Sequence, residues 1–97
     1  MPLAWEQVVI DAHDHRELGL WWARALDWIV TNEDDTEVEI RSAADATPAL
    51  LFLPVTEDRV TKNRLHLDFR PRDHKAEVER LINLGASRRD IGQGEVF

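Results

Sequence analysis

The chain has no cysteine. A disulfide framework and a thiolate metal site are therefore excluded, and any metal would have to be held by histidine, carboxylate or amide groups. Long apolar runs are also missing. The longest, "ALLFLPV" (49–55), is far short of a membrane span. No basic region followed by an apolar stretch stands at the N-terminus, so no secretory signal is expected and the protein reads as cytoplasmic. Positive charge is in deficit: 12 Lys and Arg stand against 19 Asp and Glu, a formal net charge of −7. That balance argues against nucleic acid and against an anionic membrane as partners, both of which need a basic footprint.

What is present suits one globular domain. The 97 residues are 43% hydrophobic and 32% charged, a composition that supports a modest core and speaks against disorder. "WEQVVIDA" (5–12) reads as a strand with Val8 and Ile10 on one face and Gln7, Val9 and Asp11 on the other. "DHRELGLWWARALDW" (14–28) reads as a helix. Asp14 caps it, Glu17 completes a capping-box pattern, and Leu18, Trp21, Trp22, Ala25 and Leu26 form an apolar stripe. Gly19 inside that helix costs about 1 kcal/mol relative to alanine. Three short strands follow at 28–32, 36–42 and 49–55, joined by a hairpin turn at "EDD" (33–35) and a looser one at "AADATP" (43–48).

After a polar linker (57–62) the pattern restarts. "RLHLDFRP" (64–71) alternates as a strand, with Leu65, Leu67 and Phe69 on the side that should pack under a helix. Asp73 caps a second helix at 74–84, whose Val78, Leu81 and Ile82 match Leu18, Trp21 and Trp22, and Gly85 ends it. "SRRDIGQ" (87–93) is a strand candidate and "EVF" (95–97) begins another. The result is an internal repeat in which Gln7 corresponds to His66 and Asp14 to Asp73. Module one spans 1–56 and module two, incomplete, spans 63–97. The repeat predicts an α+β fold of two tandem βαβββ-type modules, the second incomplete.

Strand parity puts Gln7, Asp11, His66 and Asp68 on the polar side of the sheet, and these four are the candidate ligand-pocket residues. His66 and Asp68 lie two residues apart on one face, an arrangement that could serve a small-molecule site or simply a solvated surface. Asp11 and Asp68 would favour a cationic ligand. "HDH" (13–15) reads as a helix cap rather than a metal site, and "NEDD" (32–35) as a solvated hairpin that lacks the ligand spacing of calcium loops. Trp21 and Trp22 fit either a broad core stripe or an interface, and Trp5 and Trp28 read as core or rim.

The repeat, with "VVIDAHDHRELGLWWARALDW", "LLFLPV", "KNRLHLDFRPRDHKAEVERLINLGA" and "DIGQGEV", resembles the glyoxalase-like domain of the vicinal oxygen chelate superfamily, which includes glyoxalases, bleomycin-resistance proteins and extradiol dioxygenases. The resemblance covers essentially the whole chain. It implies that the two modules form a curled mixed sheet, a cup, with two helices on its outer face and metal ligands on cup-facing positions. Gln7 and His66 would be the first-strand ligands, and another ligand position falls at about Leu53, where leucine cannot bind metal. The family pattern continues past "GQGEV" into a further hairpin, so the second module is expected to be C-terminally truncated. A divalent metal would then rest on His66 and Gln7, with Glu37 or Glu39 as recruits, and a metal-free chain is the stronger expectation because catalytic sites need about three protein ligands.

Three functions stay open at this stage. The first is metal-dependent lyase or dioxygenase-type chemistry around His66. The second is metal-free small-molecule sequestration resembling the bleomycin-resistance branch. The third is a degenerate, non-catalytic oligomeric module, in which a homodimer or higher homo-oligomer covers the open strand edge. Whether the protein is an enzyme, and on what substrate, is not decided by the sequence.

Overall fold

A computed structural model describes residues 2–58, 60–61, 63–90 and 95–96 of the chain, with backbone only at 89–90 and 95–96. The chain divides into two compact units, Met1–Val60 and Thr61–Phe97.

The first unit is a complete strand–helix–three-strand module. Its elements are β1 (Gln7–Ala12), α1 (His15–Leu26), β2 (Ile29–Glu33), β3 (Val38–Arg41) and β4 (Ala49–Pro54). They form an open mixed sheet in the order β1-β4-β3-β2. β4 returns beside β1 in parallel, Gln7 against Ala49 through Ala12 against Pro54, and the other pairings are antiparallel. A bulge between Val30 and Asn32 shifts the β2–β3 register by one residue. The α+β class is as the repeat predicts, and the mixed sheet is as the resemblance implies. Neither helix among the described residues is long and apolar enough to cross a membrane.

The sheet has one dry face. Val8 pairs with Leu50 and Ile10 with Phe52, while Phe52 pairs with Val38 and Leu50 with Ile40. Val38, Ile40 and Phe52 are fully buried and Leu50 nearly so, and α1 packs across them. The line along which the helix meets the sheet differs from the apolar stripe expected. His15, Gly19 and Ala23, spaced four apart, are buried, as is Ala25 of the expected stripe, whereas Leu18, Trp21, Trp22 and Leu26 are only half-buried. The reason is closeness of approach. A Cβ placed on Gly19 would lie 2.7 Å from Val38 Cγ1, 2.9 Å from Val38 Cβ and 3.1 Å from Phe52 Cδ1. The helix touches down on its smallest residues and its large side chains flank the contact. Among these, Trp21 and Trp22 meet edge to face with ring centroids 5.2 Å apart. Trp5, expected in the core or at its rim, is exposed because it precedes the first paired residue of β1.

Both ends of α1 are closed. The Asp14 side chain accepts a hydrogen bond from Glu17 N at 3.0 Å. At the other end Asp27 takes the left-handed conformation (φ 54°), and Trp28 N donates to the Ala23 carbonyl at 2.9 Å. This 6→1 closure stops the helix two residues short of the expected 28. The first turn is also tied to the β2–β3 hairpin: His15 Nε2 donates to the Asp34 carbonyl at 2.8 Å, and Arg16 pairs with Asp35 at 3.1 Å.

The second unit contains α2 (His74–Asn83), capped by Asp73 through Ala76 N at 3.1 Å, and a two-residue ladder of β5 (Arg89–Asp90) with β6 (Glu95–Val96). Gly85 adopts φ 109°, and Ala86 N reaches the Leu81 carbonyl at 3.0 Å, the same closure that ends α1. The expected strand at 64–71 is corrected: among the described residues it joins no ladder. A strand is defined by its partner, and the ladder formed by described residues of this unit pairs Arg89–Asp90 with Glu95–Val96. Leu65 and Phe69, expected beneath a helix, are accordingly 68% and 52% exposed, and α2 has no buried residue. Part of the expected strand at 87–93 and the last residue of 95–97 lie outside the described residues.

Two outcomes follow. Gly19→Ala gains about 1 kcal/mol of helix propensity, but overpacking against a fully buried Val38 costs about 1–3 kcal/mol. Urea denaturation should show a net loss, and adding Val38→Ala should recover part of it. The second concerns the hairpin. Asp34 accepts hydrogen bonds from Thr36 Oγ1 at 2.6 Å, Thr36 N at 2.8 Å and Glu37 N at 3.0 Å, which lower its pKa from 3.8 to about 2. The folded pKa is depressed, so the stability this carboxylate contributes is full above about pH 4 and is lost as pH falls through about 2. Carbon-detected NMR titration should place its midpoint near 2, and Asp34→Asn should flatten the acid limb of the stability curve in that window.

Candidate functional site

Alternation fixes the character of the sheet face turned away from α1. With Val8 and Ile10 directed toward the helix, Gln7, Val9 and Asp11 of β1 take the opposite face. Val9 lies in one row with Leu51 and Glu39, and Asp11 pairs with Leu53. The middle of this face is therefore apolar and partly open: Val9 is 48% exposed, and Leu51 and Leu53 are half-buried. Gln7 is half-buried at the start of β1 and Asp11 is exposed near its end.

Beside the apolar row stands a polar cluster. Arg41 Nε and Nη2 donate to the two carboxylate oxygens of Glu39 at 3.2 and 3.3 Å. Nη1 donates to the Ala46 carbonyl at 2.9 Å, and Nη2 also reaches Glu6 Oε1 at 3.1 Å. Thr31 Oγ1, at the bulge, donates to Glu39 Oε1 at 2.7 Å. Arg41 and Glu39 are largely buried, with side chains 13% and 21% exposed. The Arg41 and Thr31 hydrogen bonds hold the Glu39 carboxyl below the ordinary range, and Glu39 and Glu6 raise the Arg41 pKa. The cluster pins the 42–48 loop and the residue ahead of β1 onto β3. It was not anticipated, because its closure needs a loop carbonyl that no sequence pattern marks. The one readable signal was Glu39 and Arg41, opposite charges two apart on a strand.

His66 and Asp68 belong to the second unit and both are exposed. His66 borders an open concavity of about 470 Å³ together with Thr61, Asn63 and Arg64, and Asp68 is not among its lining residues. The histidines of "HDH" are taken up structurally. His13 Nε2 donates to the Glu57 carbonyl at 2.6 Å, His15 is bound as above, and Asp14 is the cap.

The donor set does not fit a catalytic divalent metal. Glu39, the recruit nearest the open face, has both oxygens engaged by Arg41 and Thr31. Glu37 accepts from Asn32 Nδ2 at 2.9 Å in the hairpin, and Leu53 offers no donor. Among the described residues no group of three or more histidine or carboxylate side chains is placed to hold an ion.

The polar cluster makes a measurable claim. Thr31→Val removes one hydrogen bond to a charged acceptor and should cost about 1 kcal/mol. Arg41→Met should lower the urea midpoint further, and Arg41→Lys should recover only part, because an ammonium cannot span Glu39, Glu6 and the Ala46 carbonyl at once.

A family model for a glyoxalase-like domain matches residues 7–96. Comparison with curated proteins and with solved structures gives no match.

Proposed function

The chain belongs to the glyoxalase-like domain family, and from that premise we propose that it binds a small organic molecule against the open face of the first unit's sheet, without a metal. The observation that carries this reading is the composition of that face: an apolar row of Val9, Leu51 and Leu53, with the Asp11 carboxylate at one end and the Gln7 amide at the other. Ligand sites are mostly apolar with a few polar groups that fix orientation, and this face has that make-up. The Glu39 carboxylate is neutralised by Arg41, so Asp11 supplies the local charge. The ligand class that fits is a flat apolar body carrying a cationic group. The family also contains metal-dependent chemistry in the resemblance drawn above, but the engaged carboxylates and Leu53 favour sequestration over metal catalysis.

A thermal-shift screen of cationic aromatic, neutral aromatic and anionic compounds tests the reading. Cationic aromatics should raise the melting temperature, a ligand at a hundred times its Kd contributing about 2.7 kcal/mol. Asp11→Asn should weaken those compounds several-fold and leave neutral ones unchanged. Titration of the same protein with zinc, nickel and manganese forms the opposing arm. Tight binding that His66→Ala abolishes would replace sequestration with a metal-centred function.

A further inference from the structure

The concavity beside His66 has a chemistry opposite to that of the sheet face. Its lining includes, among the described residues, Thr61, Asn63, Arg64 and His66. Each of these carries a hydrogen-bond donor and none of them carries a carboxylate. Arg64 makes no ion pair or hydrogen bond with a described residue, in contrast to Arg41 and Arg16, which are matched to carboxylates. On a chain of net charge −7 this is an island. The long-range field repels anions, so any affinity there must come from these side chains at contact distance.

We infer that this concavity, lined by Thr61, Asn63, Arg64 and His66, binds the oxyanion of a small molecule, a phosphate or a carboxylate. A guanidinium is a planar fork of N–H donors that matches two oxygens of either group, and charge-assisted bonds of this kind are shorter and stronger than neutral ones. The Asn63 amide and the Thr61 hydroxyl can complete the shell of donors, and the His66 ring can add a further N–H. The concavity is open, so the oxyanion is the anchoring end of a molecule whose remainder extends into solvent. The described lining residues all belong to the second unit, and the site does not depend on the sheet-face reading.

NMR titration of the full chain with inorganic phosphate, and separately with acetate, tests the assignment. Saturable shifts confined to residues 61–66 are expected in at least one arm. The arm that saturates at lower concentration identifies the phosphate or the carboxylate as the preferred group. Arg64→Gln should weaken that binding by about tenfold, the loss expected for one bidentate charge-assisted contact. Arg70→Gln, an exposed arginine of the same segment outside the lining, should leave it unchanged. Shifts that do not saturate in either arm, or an equal loss in Arg64→Gln and Arg70→Gln, would overturn the site and reduce it to diffuse electrostatics. The sheet-face proposal reads through Asp11→Asn and residues of β1 and β4, so the two succeed or fail separately.

Discussion

Everything in the first unit depends on how near α1 can come to the sheet. At Gly19 there is no room for a single additional carbon, because Val38 and Phe52 already occupy the space. That contact lets Val38, Ile40 and Phe52 be covered completely by one twelve-residue helix. The ends of the helix are set by their own caps. Asp14 and Asp27 close its two termini, and His15 and Arg16 bind it to the hairpin that follows. A helix held further out would leave the dry face wet, and burial of a few large apolar side chains at about 25 cal/mol per Å² is what such a small unit has to work with.

With one face closed by the helix, the other is defined by default, and its charges are handled in two ways. Glu39 and Arg41 are drawn together and saturate one another, with Thr31 and the Ala46 carbonyl taking up the remaining valences. This is the form in which partly buried charge is tolerated, since an unpaired member would carry its full desolvation cost. Asp11 is left outside that network. The division separates charge that maintains the sheet from charge left facing solvent. In the second unit the segment carrying Arg64 and His66 has the opposite make-up, so the two units offer different electrostatic environments to solutes.

Strand alternation and the Asp14 cap made the first unit readable. The four strands fall within about two residues of where apolar and polar positions alternate, the usual uncertainty at element ends. The sides taken by Gln7, Val9 and Asp11 follow from the same alternation. Gly19 was visible only as a cost to the helix. Its benefit lies in a contact with β3 and β4 that no local pattern encodes. The segment 64–71 shows the converse. Its alternation is as regular as that of β1, yet alternation records which side chains would share a face and not whether a neighbouring strand supplies hydrogen bonds. The Arg41 cluster was illegible for a related reason: a loop carbonyl and a residue before β1 become its partners only once the chain has closed.

The parallel pairing of β1 with β4 has a consequence for how the molecule is made. Gln7 finds its partner only at Ala49, whereas β2 and β3 are joined by a short turn and β3 and β4 by a modest loop. Local pairings close with little entropy loss, and the distant one must wait. As the chain leaves the ribosome, β1 and α1 emerge early but have no complete sheet to join until Pro54 is clear of the exit tunnel. Within the first unit, the first strand to be synthesised is thus the last to be paired, and for that interval Val8 and Ile10 form an apolar ribbon that depends on rapid completion of the module behind it.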